Sequence, residues 1–327
     1  MSKAKKLIVV TGAAGFIGSA LLRHLNEQGY ANLIAVDDLG KSEKWKNLVG
    51  KRFEDLISKH DLFDWLSKHG DQVSAVFHLG ACSSTVETDA GYLLENNYRY
   101  SVRLCEKALN YNHRFIYASS AATYGDGAQG FTDNHQQLGS LSPLNMYGYS
   151  KHLFDLWLQQ NNLLDKVVGL KYFNVFGPNE HHKGRMASAI THILPTAQRE
   201  GVIRLFKSSE PSLYADGGQM RDFVYVKDVV KMTTAFLDKN VGGIFNVGTG
   251  KPGTWNQMAE GVFEALQLPV KIEYVEMPKD LIGKYQNYTC ADLNKTARAI
   301  GGATLCRPFK ETVVEYVRDY LLPNKLW

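Results

Sequence analysis

The chain has 327 residues, of which 44% are hydrophobic and 21% charged, with only 9 prolines; this is the make-up of a folded globular protein and excludes the disordered and fibrous classes. A formal net charge of +4, without long runs of one sign, suggests an acidic small ligand at most and gives no reason to expect nucleic acid. The cysteines, Cys82, Cys105, Cys290 and Cys306, contain no closely spaced pair, so neither a disulfide framework nor a metal site is expected.

Lys3, Lys5 and Lys6 precede the apolar run Leu7–Val10 in the manner of a secretion signal, but the run breaks at Thr11-Gly12. No segment approaches the roughly 18 apolar residues of a membrane span. A soluble, cytoplasmic protein is expected, with no membrane partner.

Leu7–Val10 reads as a first strand, followed by Thr11-Gly12-Ala13-Ala14-Gly15-Phe16-Ile17-Gly18 and a helical pattern over Phe16–Gln28. Gly12 can make a tight turn, Gly15 lets the backbone approach a pyrophosphate, and Gly18 lets helix and strand pack closely. The helix N-terminus then offers N–H donors to the phosphates of a dinucleotide. The second strand, Leu33–Asp37, ends in Asp37-Asp38, and Asp37 lies about 20 residues beyond Gly18, where an acid meets a dinucleotide ribose. Asp37 would repel a 2′-phosphate and Lys41 and Lys44 would neutralise one, so charge alone leaves NAD and NADP equally open.

A helix is expected over Leu56–Lys68, a strand over Val73–Leu79, a helix over Ala90–Tyr111, a strand over Phe115–Ser119, a helix over Tyr147–Gln160 and a strand over Val167–Phe173. Short apolar strands alternating with longer helical segments predict an α/β fold, a doubly wound parallel sheet of the Rossmann type with helices on both faces. Beyond Gly177-Pro178 the pattern gives a helix near Met186–Arg199, a strand at Ile203–Phe206 and a polar stretch to Gln219. The run Asp222–Val226, the helix Val229–Leu237 and the strand Ile244–Val247 are expected to return to the sheet. Trp255–Leu268, with the remaining C-terminal residues, would complete a second, smaller α/β lobe. Residues 1–173 plus 221–250 are accordingly expected to bind the dinucleotide, and 174–220 plus 251–327 the substrate.

Ser120 follows the strand Phe115–Ser119, at the carboxyl end where parallel sheets bind ligands. Tyr147 and Lys151 stand at i and i+4 on one helical face, so the ammonium can approach the phenol and lower a pKa that is about 10 when unperturbed. A phenol so tuned can exchange protons with an alcohol, and Ser120 can hydrogen-bond the same oxygen.

The glycine turn, the serine at the strand end and the Tyr-x-x-x-Lys pair resemble the extended short-chain dehydrogenase/reductase family, over essentially the whole chain. Phe77–Thr85, Glu95–Tyr98, Tyr147–Asp155, Lys171–Pro178 and His182–Ser188 are similar, more narrowly, to its nucleotide-sugar epimerases that act at C6 of an ADP-linked heptose. The resemblance implies an isomerase that interconverts the D-glycero and L-glycero forms by transient oxidation and reduction, with tightly bound NADP. It implies a place in lipopolysaccharide core precursor synthesis and a homo-oligomer.

By that resemblance Tyr147 and Lys183 are the two acid/base residues, Lys151 assists Tyr147 and contacts the cofactor, and Ser120 supports catalysis. Cofactor contacts fall on Gly12, Gly15, Phe16, Ile17, Gly18, Asp37, Asp38, Lys44, Lys59, Leu79, Gly80, Ala81, Cys82, Ser83, Asn96, Tyr147, Lys151 and Val175. Substrate contacts fall on Asn174, Lys183, Arg185, His192, Phe206, Lys207, Ser208, Ser209, Arg221 and Tyr285. The chain departs from the pattern at Asp38, where asparagine is familiar, at Arg185, in place of a small serine, and in extra residues around Ser208 to Gly218. The nearest alternative is a nucleotide-sugar 4-epimerase. A 4,6-dehydratase is disfavoured by Ala121-Ala122 where that family carries an acidic pair, and a non-catalytic dinucleotide-sensing regulator by the presence of both Tyr147 and Lys151.

Overall fold

A computed structural model of the protein describes residues 6–278, 286–304 and 306–327. The first half alternates strand and helix: β1 (Leu7–Thr11), α1 (Phe16–Glu27), β2 (Leu33–Asp37), β3 (Asp55–Ser58), α2 (Leu62–His69) and β4 (Val73–His78). Then come α3 (Ala90–Leu93), which runs through a π turn (Leu94–Arg99) into α4 (Tyr100–Asn110), and β5 (Arg114–Ser120), α5 (Met146–Gln160) and β6 (Val167–Tyr172). The second half carries β7 (Asn174–Phe176), α6 (Ala189–Glu200), β8 (Ile203–Phe206), β9 (Met220–Arg221), β10 (Phe223–Tyr225), α7 (Val226–Ala235) and β11 (Gly243–Val247). It closes with β12 (Gly253–Thr254), α8 (Trp255–Leu266), β13 (Ile272–Val275), α9 (Asn294–Ile300) and α10 (Phe309–Glu315).

A seven-stranded sheet in the order β11-β6-β5-β4-β1-β2-β3, parallel throughout, forms the frame. Its central strands are apolar on both faces because helices cover both: Val9, Val76 and Phe115 pack on one side with α2, α4 and α5, and Val10, Phe77 and Ile116 on the other with α1 and α7. The chain leaves β1 toward β2 on one side and returns to β4 on the other, so a crevice opens at the carboxyl ends of β1 and β4. A second core joins Ile190, Leu194, Ile203, Met258, Phe263 and Val317, from α6, β8, α8 and the C-terminal helix.

Two sequence expectations are corrected. The span Leu56–Lys68 is not one helix: Asp55–Ser58 pairs with β2 as the edge strand, and the helix starts only at Leu62. Leu56, Phe63 and Leu66, at i, i+7 and i+10, mimic a helical stripe, but pairing with a distant strand overrides it. Asp222–Val226 does not rejoin the main sheet either. Phe223–Tyr225 pairs with Asn174–Phe176 in a separate two-stranded ladder, and Gly243–Val247 alone returns to the main sheet, beside β6.

Candidate active site

A cleft of about 590 Å³ runs along the crevice from the end of β2, past β1 and β4, to the start of α5. Gly12 has φ 68°, and a side-chain carbon there would lie 2.7 Å from the Gly80 Cα; one at Gly18 would overlap the Gly12 carbonyl. Helix α1 begins behind Gly15, in extended conformation and with no side chain capping it. Its first N–H groups therefore face the cleft with room for a pyrophosphate to approach. At the ribose end Asp37 Oδ2 accepts from Ala14 N at 2.8 Å, and its Oδ1 accepts from Asp38 N and Lys44 Nζ, each at 2.7 Å. Lys44 is thus already matched to a carboxylate. Lys59 donates to Asn96 Oδ1 at 3.0 Å and stands 3.5 Å from Asp38. This cradle fits a dinucleotide.

The loop after β4 is clamped by Asn97, fully buried, which accepts from Cys82 N and donates to Cys82 O, both at 2.9 Å, and to Ser150 Oγ on α5 at 3.0 Å. The π turn places Asn96 and Asn97 here; an extra residue in a helical turn rotates neighbouring side chains out of their usual register.

Helix α5 is capped by Asn145, whose side chain accepts from Gly148 N, so Tyr147 sits in its first turn, facing the cleft. Burial holds the Tyr147 phenol above its ordinary pKa, and a hydrogen bond with Ser120 opposes that rise. Lys151 is 4% exposed, and burial pushes its ammonium down to about 8, against the pull of Asp155 one turn further on. The expected lowering of the phenol by Lys151 is therefore corrected: desolvation dominates at both groups, and the countering influence on Tyr147 is Ser120. Ser120 Oγ accepts from Ala122 N at 3.1 Å, leaving its own O–H to donate to the phenol. Beneath lies a fully buried pair, Lys171 Nζ to Asp155 Oδ2 at 2.7 Å; Ser119 and Tyr117 donate to the same carboxylate at 2.8 Å.

Lys183 lines the same cleft from a 3₁₀ turn (His181–Met186), its Nζ 5.0 Å from the centre of the Phe16 ring. Burial lowers its pKa, with Glu180 pulling the other way, so Lys183 gives up a proton more easily than an exposed lysine. The turn is anchored by Glu180, fully buried, which accepts from Ser188 N at 2.7 Å, Ser188 Oγ at 2.6 Å and Tyr316 OH at 3.0 Å.

Every residue expected at the cofactor lines this cleft, together with Tyr147, Lys151, Ser120 and Lys183. The expected sugar contacts other than Lys183 do not line it. Asn174 and His192 are exposed, and Arg185 projects from the Lys183 turn. Lys207 pairs with Glu276 at 2.5 Å, Phe206 ends β8, and Ser208 and Ser209 begin the loop beyond it. Arg221 is buried, donating to Met220 O; Tyr285 lies outside the described residues. Tyr92, Tyr100, Phe173 and His182 line the cleft without having been singled out. Phe173 and His182 lie in the stretches Lys171–Pro178 and His182–Ser188 that carry the family resemblance, which was the signal available for them.

Residues 8–248 match the model of the NAD dependent epimerase/dehydratase family, and the chain belongs to that family. Its cofactor class is a nicotinamide dinucleotide. The chain is 51% identical over 319 residues to ADP-L-glycero-D-manno-heptose-6-epimerase of Nitratidesulfovibrio vulgaris, covering 96% of this chain and 98% of that protein. It is 43% identical over 327 residues to the protein of the same name from Fusobacterium nucleatum, with 96% and 98% covered. Among solved structures, the Helicobacter pylori ADP-L-glycero-D-manno-heptose-6-epimerase matches with TM-score 0.79 and 26% identity over 99% of this chain and 98% of that one. A UDP-N-acetylglucosamine 4-epimerase from Methanobrevibacter ruminantium, in complex with UDP-N-acetylmuramic acid, matches with TM-score 0.77 and 25% identity over 99% and 100%. The expected family, fold and epimerase class of enzyme are borne out. Among the described residues no helix is long and apolar enough to cross a membrane.

Proposed function

We propose that the chain interconverts ADP-D-glycero-D-manno-heptose and ADP-L-glycero-D-manno-heptose at C6 with tightly bound NADP, as a cytoplasmic homo-oligomer supplying a lipopolysaccharide core precursor. The observation that carries this reading is that two proton-handling side chains, Tyr147 with Ser120 and Lys183, line one cleft together with the glycine turn. The relatives at 51% and 43% identity support the choice of sugar.

The C6 hydrogen of such a sugar has no neighbouring carbonyl to acidify it, so proton abstraction alone cannot invert the carbon. A bound nicotinamide supplies a hydride acceptor and donor, which allows the carbinol to pass through a planar ketone. Proton transfer at the C6 oxygen falls to the protein. Tyr147, whose phenol burial holds above its ordinary pKa, can hold a proton at that oxygen, and Ser120 orients the phenol. Lys183, in the same cleft and with its pKa lowered, can do the same when the oxygen lies on the other side, as the two epimers require.

NADP is the dinucleotide we assign. The family resemblance favours NADP, and Lys44, on Asp37 at the ribose end, is the cation that would meet its 2′-phosphate. Residues 1–173 plus 221–250 would hold the dinucleotide, and 174–220 plus 251–327 the sugar nucleotide. On the sugar side, Asn174, Arg185, His192, Phe206, Lys207, Ser208, Ser209, Arg221 and Tyr285 are assigned as contacts.

The test is incubation of the purified protein, without added dinucleotide, with ADP-D-glycero-D-manno-heptose deuterated at C6. A mixture of epimers with the label retained is expected. Loss of the label to water, or an unchanged epimer ratio, would overturn the proposal.

A further inference from the structure

Among the side chains that hold the Lys183 turn to the dinucleotide cradle, one outside the proposed catalytic and binding set reaches both parts directly. Asn47 lies in the 3₁₀ turn Glu43–Leu48, the same short turn that carries Lys44, and is fully buried. Its Nδ2 lies within hydrogen-bonding distance of three acceptors: Ala14 O at 3.0 Å, Asn179 O at 3.1 Å and His182 Nδ1 at 3.3 Å. Its Oδ1 has no donor among the described residues, so the contacts of this side chain run through the amide nitrogen.

The three acceptors belong to the two parts of the site that must act together. Ala14 is in the glycine turn, and its N–H is taken by Asp37, the ribose-end carboxylate that also pairs with Lys44. Asn179 and His182 flank the segment leading to Lys183. Asn179 is itself 2% exposed at φ 78° and donates to Ser19 Oγ on α1 at 3.0 Å. His182 is held well below its ordinary pKa, at about 4, chiefly by burial; neutral, it can accept at Nδ1 from Asn47.

We infer that Asn47 is a positioning residue that couples occupancy of the dinucleotide cradle to the placement of Lys183. A dinucleotide that orders the glycine turn and the Lys44 turn also orders the amide of Asn47, and through it the backbone at Asn179 and the ring of His182. The inference rests on the proposed role of Lys183, but the linkage itself needs only the dinucleotide.

Asn47→Asp keeps the size of the side chain and turns its donor into an acceptor facing two carbonyls and an imidazole nitrogen. Hydrogen exchange is followed in the wild type and the variant, with whichever of NADP or NAD protects the amides of the glycine turn. In the wild type the ligand should slow exchange across residues 179–186. In Asn47→Asp that slowing should fall by about tenfold or more, while dinucleotide affinity changes by less than about threefold, as expected when a link rather than a binding contact is lost. His182→Phe, which removes one acceptor and leaves Asn47 itself intact, should also weaken protection and keeps the proposal testable if the first variant does not fold. Turnover on the heptose gives a second readout: Asn47→Asp should cost about tenfold in the wild type but less than about twofold in a Lys183→Met background. Undiminished protection of 179–186 in both variants, or dinucleotide affinity falling in step with protection, would overturn the inference. Because the exchange readout involves no sugar, its failure is distinguishable from an error in the proposed substrate.

Discussion

Ser120 and Tyr147 share one cleft, and the serine hydroxyl, rather than the ammonium of Lys151 one helical turn away, opposes the upward push of burial on the Tyr147 phenol. Removing it should raise the phenol pKa further. Ser120→Ala is expected to lower turnover by about 10- to 100-fold and to move the alkaline limb of the pH–rate profile to higher pH. A profile measured from neutral to alkaline pH checks this; an unshifted limb would separate Ser120 from the titration of Tyr147.

Tyr147→Phe keeps the ring and removes the proton-transfer group. Turnover is expected to fall by about 10²- to 10⁴-fold, with dinucleotide affinity nearly unchanged. Isothermal titration together with an epimerisation assay would settle it, and turnover near that of the wild type would refute the role given to the phenol.

Lys183→Met should reduce kcat far more than it raises KM, because its lowered pKa suits proton transfer and its Nζ lies over Phe16 rather than on an anionic partner. Steady-state kinetics read the split. An increase confined to KM would make the lysine a binding group for the diphosphate instead.

Lys151 bears on stability as well as catalysis. Its folded pKa of about 8 lies below the ordinary 10.5, so between those values the unfolded chain binds the proton more tightly and stability rises with pH. Below the folded value the cost of the buried charge is fully present. Lys151→Met should therefore raise the thermal midpoint near pH 7 by a few degrees, with the gain shrinking toward about pH 10, while turnover collapses. Calorimetry at the two pH values provides the check, and a lower midpoint at pH 7 would show that the ammonium is compensated in the fold.

Lys44→Ala tests the assignment of the dinucleotide. Lys44 Nζ sits 2.7 Å from Asp37, and its loss should leave that carboxylate facing a 2′-phosphate unscreened. NADP affinity should fall by about tenfold, as for a charged pair within a site, and NAD affinity by much less. Equal losses would argue against a 2′-phosphate at this position.

Much of this site was legible in the sequence because its parts obey local rules. The strands Leu7–Thr11 and Leu33–Asp37 are apolar on both faces, and the glycine turn between β1 and α1 has a spacing fixed by steric contact. What was missed depends on contacts between distant residues. The edge strand Asp55–Ser58 exposes Asp55 and Leu56, so nothing in its own residues marks it as part of a sheet. The π turn that aims Asn97 at Cys82 leaves no trace in hydrophobic spacing. Lys151 was expected to tune Tyr147 from spacing alone, but spacing carries no information about desolvation, which proved larger. Asn47, in a lysine-rich stretch, reads as surface until its three acceptors, drawn from Ala14, Asn179 and His182, are seen in space.

Glu180, whose carboxylate ties the start of α6 and Tyr316 to the Lys183 turn, gives that lysine a second allegiance. Four hydrogen bonds, the fourth a long one from Gly177 N, converge on this one buried carboxylate, so a substitution that removed it would loosen the entry to α6, the Tyr316 contact and the footing of the Lys183 turn together.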